Sequence, residues 1–248
     1  MARLGASRST QKRDRRKRWY RNRPARDEPL AEPLSVTGIH QRIREIPSMD
    51  LRMLPLVIKE ARLEENVPEQ PAVIETCLTR ILRHLNPESA HMPHPEQVRT
   101  LRRLIFGKGD TILIARTGFG KSIIFHAFSV LTGKITLQII PLSKLGDEQL
   151  DDIRKLDGSA PCLVTSESKR LEKSIIENIR KGLYTHVLLG PEQACSKTFR
   201  AALRDPELQA KIGLVAIDEC HLVKQWEEFR PEFTMLGDLR VILRQEVV

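Results

Sequence analysis

Two groups of residues in this sequence have the types and spacing for phosphate chemistry. The first is Ala115–Arg116–Thr117–Gly118–Phe119–Gly120–Lys121–Ser122. Gly118 and Gly120 can take backbone angles closed to other residues, so the chain can turn its amide hydrogens inward around an oxyanion. Lys121 would reach the outer phosphates of a nucleotide, and the Ser122 hydroxyl would help to hold Mg²⁺. Ala115 stands where the general phosphate-loop pattern has glycine; the shorter form, small residue, two of any kind, Gly, any, Gly-Lys-Ser, is satisfied. The alternative is an ordinary glycine turn with Lys121 merely exposed. The second group is Asp218–Glu219, at the end of the apolar run Gly213–Ile217. Asp218 would orient Mg²⁺ through water, and Glu219 would position or deprotonate an attacking water. Together the two groups point to an ATP–Mg²⁺ site.

A third candidate, Gln97, stands upstream of the loop in Pro95–Glu96–Gln97. Its side-chain amide could donate to and accept from an adenine edge, although an exposed glutamine is the usual meaning of such a residue.

The elements that must position these groups alternate along the chain. Ile112–Leu113–Ile114 reads as a short buried strand before the loop, and Ile123, Ile124 and Phe125 as the helix after it. Ile135–Pro141 is a nearly continuous apolar strand, as in a sheet covered on both faces. A helix carrying Asp147 and Gln149 follows, then strand-like Pro161–Thr165, helical Lys169–Lys181 and strand-like Tyr184–Leu189. Alternation with short connections predicts a parallel sheet, whose ligands sit at the carboxyl ends of its strands.

Charge and composition divide the rest. Residues 1–26 hold 11 Lys and Arg against one acid, Asp14, out of 41 basic and 32 acidic residues in the chain. The basicity thus belongs to a tail (residues 1–27) too poor in aliphatic residues to fold, and it is expected to be disordered. Its cluster Lys12–Arg18 reads as a nuclear-localisation signal or a nucleic-acid arm; an inert solvated tail and a mitochondrial presequence are the other readings. Residues 28–91 begin as linker-like pieces broken by Pro29, Pro33 and Pro47. Met49–Asn66 and Val73–Leu85 then show apolar residues at helical spacing, suited to packing against the core or a missing neighbour. The apolar runs are far too short to cross a bilayer, and no signal-peptide pattern opens the chain. Cys77, Cys162, Cys195 and Cys220 are scattered, without a Cys-x-x-Cys pair, which suits reduced intracellular thiols and argues against a zinc site.

From about residue 92 to 244 the sequence resembles the RecQ family of superfamily 2 helicases. Asp218–Glu219–Cys220–His221 looks like that family's motif II, and Gln225–Trp226–Glu227–Glu228–Phe229–Arg230–Pro231 is similar to its aromatic-rich loop. Pro141–Leu142 through Leu145 and Gln149 resembles motif Ia, and Pro95–Glu96–Gln97 motif 0. The resemblance implies an α/β, RecA-like P-loop NTPase domain: a three-layer sandwich with a mainly parallel sheet over residues 92–248, preceded by the helical region and the basic tail. It implies ATP-driven 3′-to-5′ unwinding of single-stranded or forked DNA in the nucleus. Trp226 and Phe229 with Arg230 would sense DNA, and His221 would couple them to the nucleotide. Stacking on unpaired bases, worth about 1–3 kcal/mol each, suits the two aromatic residues; taken alone they could equally be a small hydrophobic patch. The loop departs from the family's usual Trp-Gly-His-Asp-Phe by one missing residue and no histidine, and Pro93–His94 replaces the Phe-Arg of motif 0. No Ser/Thr-Ala-Thr motif, second motor lobe or arginine finger lies within the 248 residues. A catalytically limited chain is therefore expected, completed in trans by a second motor lobe or present as a gene fragment. The competing class is a non-catalytic ATP- and DNA-binding module. A small-molecule kinase using the same loop is disfavoured by the Asp-Glu-Cys-His and aromatic segments.

Overall fold

The computed structural model describes residues 38–88, 91–141, 143–220, 235–243 and 247–248. Its centre is a four-stranded sheet of β1 (Ile135–Ile139), β2 (Pro161–Val164), β3 (His186–Leu189) and β4 (Ile212–Ile217), ordered β2-β3-β1-β4. Every pairing is parallel, and β1 lies between β3 and β4.

Side chains alternate across the strands, so the sheet has two differently covered faces. One face presents Ile135, Leu137, Ile139, Cys162, Val164, Val187, Leu189 and Ile212. Four helices cover it through Ile175, Ile179, Phe199, Leu203, Leu208 and Leu239. Their ranges are Ile175–Arg180, Lys197–Leu203, Pro206–Lys211 and Gly237–Ile242. The opposite face packs on α5 (Lys121–Thr132) through Leu214 and Ala216, and on α6 (Ser143–Arg154) through Leu163 and Leu188. The result is a helix–sheet–helix sandwich around the parallel sheet that the alternation predicts, as the family resemblance implies. α5 is apolar nearly all round, with Ile123, Ile124, Ala127, Phe128 and Leu131 buried, and such a helix belongs inside a domain.

The preceding helices share that core. α1 (Ile39–Glu45), α2 (Leu54–Glu60), α3 (Gln70–Leu85) and α4 (Pro95–Phe106) bury Ile39, Leu54, Val57, Val73, Ile74, Leu78 and Leu101 in one cluster with α5. Part of the stretch that reads as linker is therefore ordered: α1 sits between the prolines and is fastened by Arg42, 4% exposed, which pairs with Glu45 at 2.9 Å and Glu60 at 3.3 Å. Among the described residues no helix is long and apolar enough to cross a membrane.

Two expectations need correction. Ile112–Leu113–Ile114 is not a buried strand. Ile112 and Ile114 are 82% and 92% exposed, while Leu113 packs partly against the α5 core. The segment keeps the alternation of a strand, but it pairs with no strand of the described sheet, so its outer side stays open. The helix expected over Lys169–Lys181 is two short ones, Ser166–Leu171 and Ile175–Arg180. Glu172 between them is extended, because its carboxylate turns inward to accept from Asn178 Nδ2 at 2.6 Å and the Tyr184 hydroxyl at 3.0 Å.

Candidate functional site

The phosphate-loop residues lie between the extended segment and α5. Gly118 and Gly120 have φ of 79° and 80°, the left-handed region that side chains rarely adopt. A Cβ on Gly120 would also stand 2.8 Å from Gln97 Nε2. The loop thus enters α5 at Lys121 with the first amides of a 12-residue helix unpaired in the usual way and facing the loop. Lys121 Nζ donates to Ala115 O at 3.2 Å, so the ammonium lies over the loop rather than away from it. Arg116 and Thr117 are exposed and Ser122 is half-buried on the first turn of α5.

Gln97 does not project outward. It is 4% exposed, accepts from His94 N at 2.8 Å and donates to Phe119 O at 3.0 Å and Gly120 O at 3.2 Å. Its amide therefore fastens the start of α4 to the loop. The His94 ring stacks on Phe119 with centroids 5.1 Å apart and planes at 17°, a second tie between the same two elements.

Asp218 follows β4. Continuing the alternation of Leu214 and Ala216, it falls on the α5 and α6 side of the sheet. Its backbone N–H donates to Ile139 O at 2.9 Å, which extends the β1–β4 pairing to the carboxylate's own residue. The side chain is 6% exposed, and one oxygen accepts from Glu219 N at 3.0 Å. Burial raises its pKa; the Gln149 hydrogen bond opposes this, the neighbouring Glu219 adds to it, and the Lys121 charge opposes it. Lys121 opens α5, the helix packed on the face of the sheet where Asp218 emerges. Glu219 has φ of 52°, the one positive value outside glycine among the described residues, and is half-buried. This turn takes its side chain out of the strand alternation, at a conformational cost that a plain strand end would not bear.

Behind Asp218 lies a buried polar row that the apolar reading of β1 did not anticipate. Gln138 Nε2 donates to Gln149 Oε1 at 2.6 Å, and Gln149 Nε2 donates to Asp218 Oδ2 at 3.4 Å. His126 of α5 sits beside it, 3% exposed. Burial pushes its pKa down to about 4, opposed by Gln149. Its Nε2 has no partner of hydrogen-bond geometry among the described residues. The signal in the sequence was Gln138 itself, an amide in the middle of an apolar strand. His221, Trp226, Phe229 and Arg230, together with Leu142 of the motif Ia segment and the basic tail, lie outside the described residues.

The donor set is suited to a nucleotide and a hard cation. It offers one ammonium, backbone amides at left-handed glycines, a hydroxyl and a buried carboxylate with oxygen lone pairs to spare.

Comparison with known proteins agrees with this chemistry. Residues 94–247 match the model of the DEAD/DEAH box helicase family. The chain is 31% identical over 189 residues to the mouse (Mus musculus) bifunctional 3′-5′ exonuclease/ATP-dependent helicase WRN, covering 75% of this chain and 13% of that protein. It is 31% identical over 137 residues to the ATP-dependent DNA helicase RecQ of Synechocystis, covering 55% and 28%. To the ATP-dependent DNA helicase Q1 of Rattus norvegicus it is 33% identical over 150 residues, covering 59% and 24%. These alignments span less than a third of each relative's length. The chain belongs to the DEAD/DEAH box helicase family, on its RecQ branch.

Proposed function

We propose that this chain is the ATP-binding lobe of a RecQ-type 3′-to-5′ DNA helicase, holding ATP and Mg²⁺ between the phosphate loop and the end of β4. The observation that carries the reading is the common location of Lys121 and Asp218. Residues far apart in sequence come to one side of the sheet, Lys121 at the start of α5 and Asp218 at the end of β4 on the face that α5 covers. Lys121 takes the outer phosphates once an anion outcompetes the Ala115 carbonyl for its protons. Ser122 and Asp218 hold the metal, which when bound neutralises phosphate charge. Glu219 orients the attacking water and accepts its proton. Arg116, Thr117 and Phe119 shape the loop around the nucleotide. Gln97 fixes the loop to α4, and from that place it borders the adenine.

DNA is the proposed substrate, in single-stranded or forked form, with Trp226, Phe229 and Arg230 as its contacts and His221 as the link to the nucleotide. The basic cluster Lys12–Arg18 supports a nuclear location. The arginines that act on the transferred phosphate are assigned to a second motor lobe, and they are worth about 10³–10⁵ in rate. The 248-residue chain alone should bind Mg·ATP, hydrolyse it weakly or not at all with single-stranded DNA present, and unwind no fork. Steady-state phosphate release and a fluorescent forked-duplex assay test this. Strand separation by the chain alone contradicts the single-lobe assignment, and absence of any nucleotide binding contradicts the site.

A further inference from the structure

We propose that Gln149 is a positioning residue for Asp218, held in one orientation by Gln138. The proposal deepens the nucleotide-site reading and rests on Asp218 orienting the nucleotide's Mg²⁺.

Three observations carry it. First, Asp218 is held at both carboxylate oxygens, one accepting from Glu219 N at 3.0 Å and the other from Gln149 Nε2 at 3.4 Å. A carboxylate has about four lone-pair sites, so these two bonds orient the group and leave lone pairs for a metal. Second, the Gln138 donation to Gln149 Oε1, at 2.6 Å, decides which end of the Gln149 amide faces Asp218. A flipped amide would set a carbonyl oxygen against the carboxylate. Third, the row is retained at a cost. Gln138 is fully buried, and its Oε1 has no partner among the described residues. A leucine there would avoid an unsatisfied buried polar atom. A purely structural strand centre gains nothing from the amide, whereas a fixed donor aimed at Asp218 does.

The helix is built to bring Gln149 within reach. Gly146, one turn before it on α6, lies so close to the sheet that a Cβ would stand 2.5 Å from Ile140 Cδ1 and 2.9 Å from Leu163 Cδ1. α6 can therefore approach the sheet closely enough for a side chain on the helix to meet both Gln138 and Asp218. Any shift of α6 along the sheet would be passed to the Asp218 carboxylate through this amide.

Isothermal titration of the 248-residue chain with ATP, in EDTA and in saturating Mg²⁺, separates the metal-dependent part of the affinity from the rest. Gln149→Leu should lower the gain from Mg²⁺ by about tenfold, the lower end of what loss of an outer-sphere partner costs a metal site. Affinity in EDTA should stay within about twofold, because the phosphate loop is untouched. Gln138→Leu should lose part of the gain, and nothing more when added to Gln149→Leu. Should Gln149→Leu fail to fold by circular dichroism, Gln138→Leu alone decides. A Mg²⁺ gain unchanged in either leucine variant, or losses that simply add, overturns the proposal. Failure of the unmodified chain to bind ATP, or binding indifferent to Lys121→Ala, is a separate outcome that overturns the nucleotide site beneath it.

Discussion

Lys121 and Asp218 stand on the same side of the sheet, where burial raises the Asp218 pKa and the Lys121 ammonium opposes that rise. Parallel strands make this relationship possible. The loop before α5 and the end of β4 both open at the carboxyl edge, and the alternation through Leu214 and Ala216 selects the face on which Asp218 emerges. An odd number of residues added or removed within β4 would send that carboxylate to the other face.

The closeness of α6 to the sheet depends on Gly146. Gly146→Ala should destabilise the fold by about 1–3 kcal/mol, because the methyl has to displace Ile140 and Leu163 from a packed core. A urea midpoint that falls with an unchanged slope is the expected result.

Stability should also respond to His126. Its folded pKa, about 4, lies below the ordinary value of 6.5, so the unfolded chain binds the proton more readily between those values. This contribution is therefore absent above about pH 6.5. Below that it destabilises by up to about 1.4 kcal/mol per pH unit, levelling off near pH 4. Urea unfolding from pH 7 to pH 4 should show this slope in the unmodified chain and a shallower one in His126→Leu. Equal slopes would mean that His126 is not held neutral by burial.

The cysteines should separate by reactivity. The Cys77 thiol, fully buried, is pushed up to about 12, and Cys162 is buried as well, whereas Cys220 is exposed two residues beyond Asp218. A disulfide reagent at pH 8 should modify Cys220 quickly, and Cys77 and Cys162 only on unfolding. Mg·ATP should slow the Cys220 reaction, and Cys220→Ser should abolish the fast phase.

Much of this is legible in the sequence. The glycine spacing of the loop, the apolar character of β1, β3 and β4, and the carboxylates at the end of β4 follow from local composition, which sets backbone freedom and strand preference. The misreadings came from long-range facts. Ile112 and Ile114 have the composition of a buried strand, yet burial needs a neighbour, and no described strand lies beside them. Glu172 divides a helical stretch because Tyr184 and Asn178 draw its carboxylate inward, a contact that helical periodicity does not encode. Gln149 was visible as a residue, but its partners on β1 and after β4 were not.

The exposed segment gives its own test. Ile112→Lys and Ile114→Lys should change stability by no more than about 0.5 kcal/mol, as surface substitutions do. Leu113→Ala should cost about 1 kcal/mol, since that side chain is the half-buried one. A large loss at either isoleucine would show that the outer side of the segment is covered after all.

The central claim is that Lys121, on a loop shaped by two left-handed glycines, binds the phosphates of a nucleotide whose metal sits on Asp218. Isothermal titration of the unmodified chain and of Lys121→Ala with Mg·ATP tests it most directly. Loss of charge-assisted hydrogen bonds worth about 1.5–3 kcal/mol predicts an affinity about 10- to 100-fold weaker in the variant, with its fold intact. Equal affinities would contradict the account.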